Sequence, residues 1–115
     1  FVMNIQDLTR CYYILQEDIF KFKKLGLLDN VSTINGQMEF DDDDVRQIIE
    51  MVNLVELGLD DQGLVKYYTN KDTQTDTLKK VRVSILEQLH SYQKKLDDID
   101  YMIYEKEKLW QKEKI

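Results

Sequence analysis

From Leu78 to Trp110 neither proline nor glycine interrupts the chain, and an apolar residue recurs at nearly every third or fourth position. That period places the apolar residues on one side of a single long α-helix. In heptad terms, Leu78, Ile85, Tyr92, Ile99 and Lys106 occupy one seam position and Arg82, Leu89, Leu96, Ile103 and Trp110 the other, so eight of the ten are apolar. One helix cannot bury its own stripe. The eight apolar seam residues are therefore the expected dimerisation residues, with a second copy of the chain as the expected partner.

The rest of the sequence is consistent with a small helical protein. At 115 residues it holds one domain, or a compact head plus an extension, and four glycines with no proline leave little material for turns. No apolar run approaches the ~18 residues of a membrane span. Phe1-Val2-Met3 lacks a charged-then-apolar targeting pattern, so the expected location is the cytoplasm. Cys11 and His90 are the only residues of their types, which leaves no disulfide framework and no Cys/His metal site within one chain. Cys11 reads as a small buried or half-buried thiol on an amphipathic helix rather than a redox sensor, and His90 as a solvated residue off the seam. With no nucleophile–base pair and no Gly-rich phosphate loop, neither an enzyme nor a cofactor is expected.

The net charge of −6 is unevenly placed. Residues 1–57 carry eleven acids against five bases, whereas the remainder balances at eleven each. That distribution is adverse to nucleic-acid binding, in which Lys and Arg supply the phosphate contacts.

Local signals divide residues 1–69 into a head. Ile5 to Tyr13 reads as a helix with Ile5, Leu8 and Tyr12 on one side, and Gln16 to Leu25 as a second with Ile19, Phe22 and Leu25 inward. Gly26, followed by Leu27 and Leu28, fits a left-handed helix stop with a hydrophobic clamp. The two helices form a helix-turn-helix candidate. Asn35-Gly36 between the short extended stretches Val31–Ile34 and Gln37–Phe40 predicts a β-hairpin wing, because both turn residues tolerate positive φ. Asp41 to Asp44 precede a helix expected over Val45–Leu57, with Val45, Ile48, Ile49, Val52, Leu54 and Val55 as its apolar face. The acids read as helix-start chemistry rather than a calcium site. Gly58 closes that helix. Leu59–Tyr68 follows as a short helix capped by Asp60 or Asp61, with Leu64, Val65 and Tyr68 inward and Gly63 as a weak point. Residues 70–75 read as a polar linker, and residues 76–115 as the dimerisation helix, capped by Thr75 or Asp76.

In this order the elements resemble the MerR family of bacterial transcription regulators over nearly the whole chain. The resemblance rests on Ile5-Gln6-Asp7-Leu8, Leu25-Gly26-Leu27-Leu28, Gly36 with Phe40, Asp43-Asp44-Val45, Leu57-Gly58, and the distal Leu96-Asp97-Asp98-Ile99-Asp100-Tyr101. It implies a mainly α fold: a winged helix-turn-helix head followed by a long helix that dimerises as an antiparallel coiled coil. It also implies a dimer that binds a pseudo-palindromic operator in double-stranded DNA.

The departures fall on the residues that touch DNA in the family. Phe20, Lys21 and Phe22 stand where an arginine-tyrosine-tyrosine run is usual, Met38 replaces the wing arginine, and Gln47 an early basic residue of the third helix. Tyr13 stands at the turn glycine and Leu15 at the serine cap. The residues left for DNA are Arg10, Phe20, Lys21, Lys23, Lys24, Asn35, Gly36 and Gln37, with Arg46 as an addition. A dimer doubles such weak patches. The alternative is a protein-interaction module on the same scaffold, like the chaperone-modulator proteins that resemble MerR domains, whose acidic half meets a basic partner. Any signal input is expected through the coiled coil, the linker or the aromatic cluster Tyr101, Tyr104 and Trp110, although aromatics at that spacing more commonly pack an interface.

Overall fold

The computed structural model describes residues 2–114. Phe1 and Ile115, which the expected segments included, lie outside them. The chain is mainly helical, with one antiparallel hairpin and a long C-terminal helix. In order it forms α1 (Ile5–Tyr12), α2 (Gln16–Lys24), β1 (Ser32–Ile34), β2 (Gln37–Glu39), α3 (Asp42–Glu56), α4 (Asp61–Thr69), a 3₁₀ turn (Lys71–Thr73) and α5 (Gln74–Lys114). The described residues divide into two units, with the boundary between Thr77 and Leu78. No described helix is long and apolar enough to cross a membrane.

The head is built around Phe22, Phe40, Leu8, Ile19, Ile48, Met51 and Leu64, all fully buried. These come from every helix of the head and from the end of the hairpin, so the head has one shared core. Phe40 enters it because residue 40 pairs with Met3: Met3 N–H donates to the Phe40 carbonyl at 2.9 Å and Phe40 N–H to the Met3 carbonyl at 2.7 Å. This bridge ties the start of the chain to the hairpin. In the hairpin, Ser32 faces Glu39, Thr33 faces Met38 and Ile34 faces Gln37. Asn35 (φ 52°) and Gly36 (φ 78°) turn the tip in the left-handed region that the Asn-Gly pair predicts.

Two helices stop by the same device. After α2 the Gly26 N–H donates to the Lys23 carbonyl and the Leu27 N–H to that of Phe22; after α3 the Gly58 N–H donates to Val55 and the Leu59 N–H to Leu54. Both glycines have positive φ, so each Leu-Gly-Leu closes a Schellman motif.

Helix starts differ more from expectation. α3 begins at Asp42 rather than Val45, because Asp41 is the cap: Asp44 N–H donates to Asp41 Oδ1 (2.8 Å) and Asp41 N–H to Asp44 Oδ2 (3.0 Å). Three of the four acids thus lie inside the first turn, where the helix dipole favours them. α4 is capped by Asp60, whose Oδ1 accepts from Gly63 N–H at 2.7 Å. A side chain at Gly63 would press on Leu59 Cδ1, 2.8 Å from a Cβ there, so the glycine admits a close approach. Tyr67, not Tyr68, is the buried tyrosine of α4. The expected linker is helical: after the 3₁₀ turn, α5 starts at Gln74, whose Nε2 donates to the Tyr67 carbonyl at 3.0 Å, and neither Thr75 nor Asp76 serves as a cap.

The turn between α1 and α2 carries two local misfits. α1 is capped by Asn4, whose Oδ1 accepts from Asp7 N–H at 2.8 Å, and it ends at Tyr12. Tyr13 takes the left-handed conformation (φ 58°) with its side chain in solvent. Ile14 then turns into the core, which leaves Tyr12 and Cys11 exposed instead of inward. Leu15 stands at the N-cap of α2 and makes no side-chain capping bond. Tyr13→Gly removes the cost of a left-handed tyrosine, and Leu15→Ser supplies the missing acceptor. Each substitution is expected to raise the unfolding free energy by about 1 kcal/mol, read as a higher urea midpoint; unchanged or lower midpoints would contradict this account of the turn.

Candidate functional site

The residues expected to meet DNA separate into three groups. Phe20 and Lys23 of α2 line a shallow cleft with Gly36, Gln37 and Met38 of the wing and with Asn4, Ile5 and Gln6 at the start of α1. The Schellman stop fixes where α2 ends, and the tight Asn35-Gly36 tip keeps the hairpin short enough to stand beside it. At about 190 Å³ the cleft falls below the ~300–1,000 Å³ of small-molecule pockets. Its character is that of a surface on which α2 and the wing converge.

Lys21 and Lys24 lie on the other side of Phe20, in an open concavity with Glu17, Leu25 and Asp61. There α2 faces the start of α4. Lys21 Nζ stands 2.8 Å from Asp61 Oδ1, and this hydrogen bond raises the lysine pKa above its ordinary value; desolvation opposes it, and the charges of Asp61 and Asp18 add to the rise. Asp61 is available for this pairing because Asp60 has taken the cap.

Arg10 belongs to neither surface. It binds Asp7 at 2.7 Å along α1, just as Arg46 approaches Asp43 at 3.4 Å along α3. Among the described residues, Lys23 and Lys24 form no ion pair, so of the basic side chains on α2 these two carry uncompensated charge. Asn35 stays at the wing tip.

The acid run is engaged in starting α3, as its reciprocal capping bonds show. Among the described residues no three His, Cys, Asp or Glu side chains stand where they could hold a metal ion. Like the Lys21–Asp61 pair, a bond between α3 and α4 lies beyond the sequence pattern: Tyr68 Oη of α4 donates to Glu50 Oε1 of α3 at 2.7 Å. An 18-residue separation hides it from local pattern reading.

The second candidate surface is the stripe on α5. Leu78, Ile85, Leu89, Tyr92, Leu96, Ile99, Ile103 and Trp110 are each between 39% and 67% exposed. Met102 and Leu109 extend the apolar surface beyond the seam, both more than half exposed. Lys95 Nζ sits 5.0 Å from the ring centroid of the seam residue Tyr92, and Gln93 Nε2 donates to Asp97 Oδ1 at 3.1 Å, contacts that brace the helix along its own length.

The chain matches no family model, no curated protein and no solved structure.

The Tyr68–Glu50 contact has a pH signature. Burial, and then the hydrogen bond and charge of Glu50, raise the Tyr68 pKa above the ordinary phenol value. The folded state therefore holds this proton more tightly than the unfolded chain does, so the associated stability is complete below about pH 10 and falls as pH rises beyond it. Tyr68→Phe is expected to cost about 1 kcal/mol at neutral pH and to shallow the decline in urea midpoint between neutral and strongly alkaline pH. A decline as steep as that of the parent chain would contradict the assignment.

Proposed function

We propose that this chain is a homodimeric transcription regulator of MerR type, in which a winged helix-turn-helix head binds double-stranded DNA and α5 pairs antiparallel with its counterpart in a second copy. The observation that carries this reading is the convergence of Phe20 and Lys23 of α2 with Gly36 and Gln37 of the wing on one exposed surface. A helix and a hairpin side by side can reach a groove and the neighbouring backbone of a duplex. The order of elements, the two Leu-Gly-Leu stops and the exposed stripe on α5 support the same reading. Two heads at a fixed spacing would read paired half-sites, which offsets the small number of cations in each.

On this reading Lys23 and Lys24 are the principal phosphate contacts, Phe20 and Gln37 approach the groove, and Asn35 and Gly36 set the wing tip against the backbone. Arg10, held by Asp7, has a minor role.

A second reading is favoured by the charge placement. The excess of acids in residues 1–57, together with three basic side chains of the head already held by Asp7, Asp43 and Asp61, suits a protein-interaction module that meets a basic partner.

The two readings separate in a mobility-shift titration of the purified chain on DNA from upstream of its own gene, across a salt series. DNA binding predicts a complex that weakens steeply with salt and is lost in Lys23→Glu/Lys24→Glu. Absence of any complex at the lowest salt would sink the DNA reading and leave the interaction module.

A further inference from the structure

We propose that Asp61 is a built-in competitor for DNA phosphate at Lys21, so that it sets how tightly the head holds a duplex. This inference rests on the DNA-binding reading and deepens it. The Lys21–Asp61 pair joins α2 to the first turn of α4, with the lysine side chain 41% and the carboxylate 53% exposed. Both partners are therefore open to an incoming ligand. Exposed ion pairs of this kind contribute little to folding, and the head has its shared core besides, so the pair can open without unfolding anything.

Lys21 sits three residues before Lys24 on α2, and both line the concavity beside Phe20. A backbone phosphate drawn to Lys24 is within reach of Lys21 as well. The Lys21 ammonium has three donors and can face both a carboxylate and a phosphate. Two anions on one ammonium stand roughly 5 Å apart, however, and repel each other. Glu17, one turn earlier on α2 and in the same concavity, adds to that repulsion. Phosphate must displace Asp61 or bind Lys21 poorly. DNA thus engages Lys23 and Lys24 first, and Lys21 only at the expense of its bond to α4.

The pairing also follows from how α4 begins. Two adjacent acids, Asp60 and Asp61, precede Gly63, and Asp60 Oδ1 alone takes the Gly63 N–H. Asp61 is free to turn toward α2. Its removal leaves the cap intact.

The test uses the full chain and a labelled random-sequence DNA duplex, with binding followed by fluorescence anisotropy over a salt series. Asp61→Asn is compared with Asp72→Asn, which makes the same change of net charge on the exposed 3₁₀ turn, and with Lys21→Gln/Asp61→Asn. If Asp61 competes with phosphate, Asp61→Asn binds about tenfold tighter at low salt, and its log–log salt dependence steepens by about two, one added phosphate from each head of the dimer. Asp72→Asn leaves the slope as it was, and adding Lys21→Gln abolishes the gain. Thermal melts verify folding of each variant, and Asp61→Ser repeats the measurement with a different side chain. A slope in Asp61→Asn equal to that of the parent chain or of Asp72→Asn overturns the inference while DNA binding stands. Absence of binding by every variant at the lowest salt removes the DNA reading, and this inference with it.

Discussion

The apolar stripe of α5 is the constraint on which the account depends. Fully burying an exposed leucine or isoleucine is worth about 1.5–3 kcal/mol, and the eight apolar seam residues are 39–67% exposed in one copy, so covering them would recover part of that at each position. The head needs nothing of the kind, because its fully buried residues already form one core. On the proposed reading the stripe is an assembly surface, and its heptad spacing suits a helix as its complement. Everything proposed for the heads, from paired half-sites to doubled weak patches, presupposes that complement to be a second α5.

Within the head, charge decides more than shape. The wing and α2 stand together, yet the cations that would give such a surface its affinity are mostly engaged. Arg10, Lys21 and Arg46 each face a carboxylate, two of them along their own helix. Lys23 and Lys24 remain. On the DNA reading, a head with so few open cations on α2 would bind phosphate weakly by itself, and its affinity would be sensitive both to dimerisation and to any single acid that engages a lysine. The same arithmetic gives the interaction-module reading its force.

What was legible in the sequence was what local chemistry dictates. Gly26 and Gly58 stop helices because a left-handed residue is needed there; Asn35-Gly36 makes the tip of the hairpin; the 3.6-residue period gives α5 its length and stripe. What was not legible depends on neighbours distant in sequence. Cys11 reads as a buried or half-buried thiol from its helix alone, but α1 ends one residue later and Ile14 takes the buried place instead. Asp60 and Asp61 are equivalent caps by pattern, and only the packing of α4 beside α2 assigns one to the cap and the other to Lys21. Four consecutive acids read as a segment before a helix, whereas the Asp41–Asp44 capping box brings three of them inside α3. Of the candidate DNA residues, the sequence supplied the list; the division into a wing-side group and an α4-side group came from tertiary packing.

The most direct test of the central claim is sedimentation equilibrium of the purified chain at micromolar concentration and moderate salt. Self-pairing of α5 predicts a species of twice the chain mass. A stable species of single-chain mass across that range would contradict it, and the paired heads would have no basis.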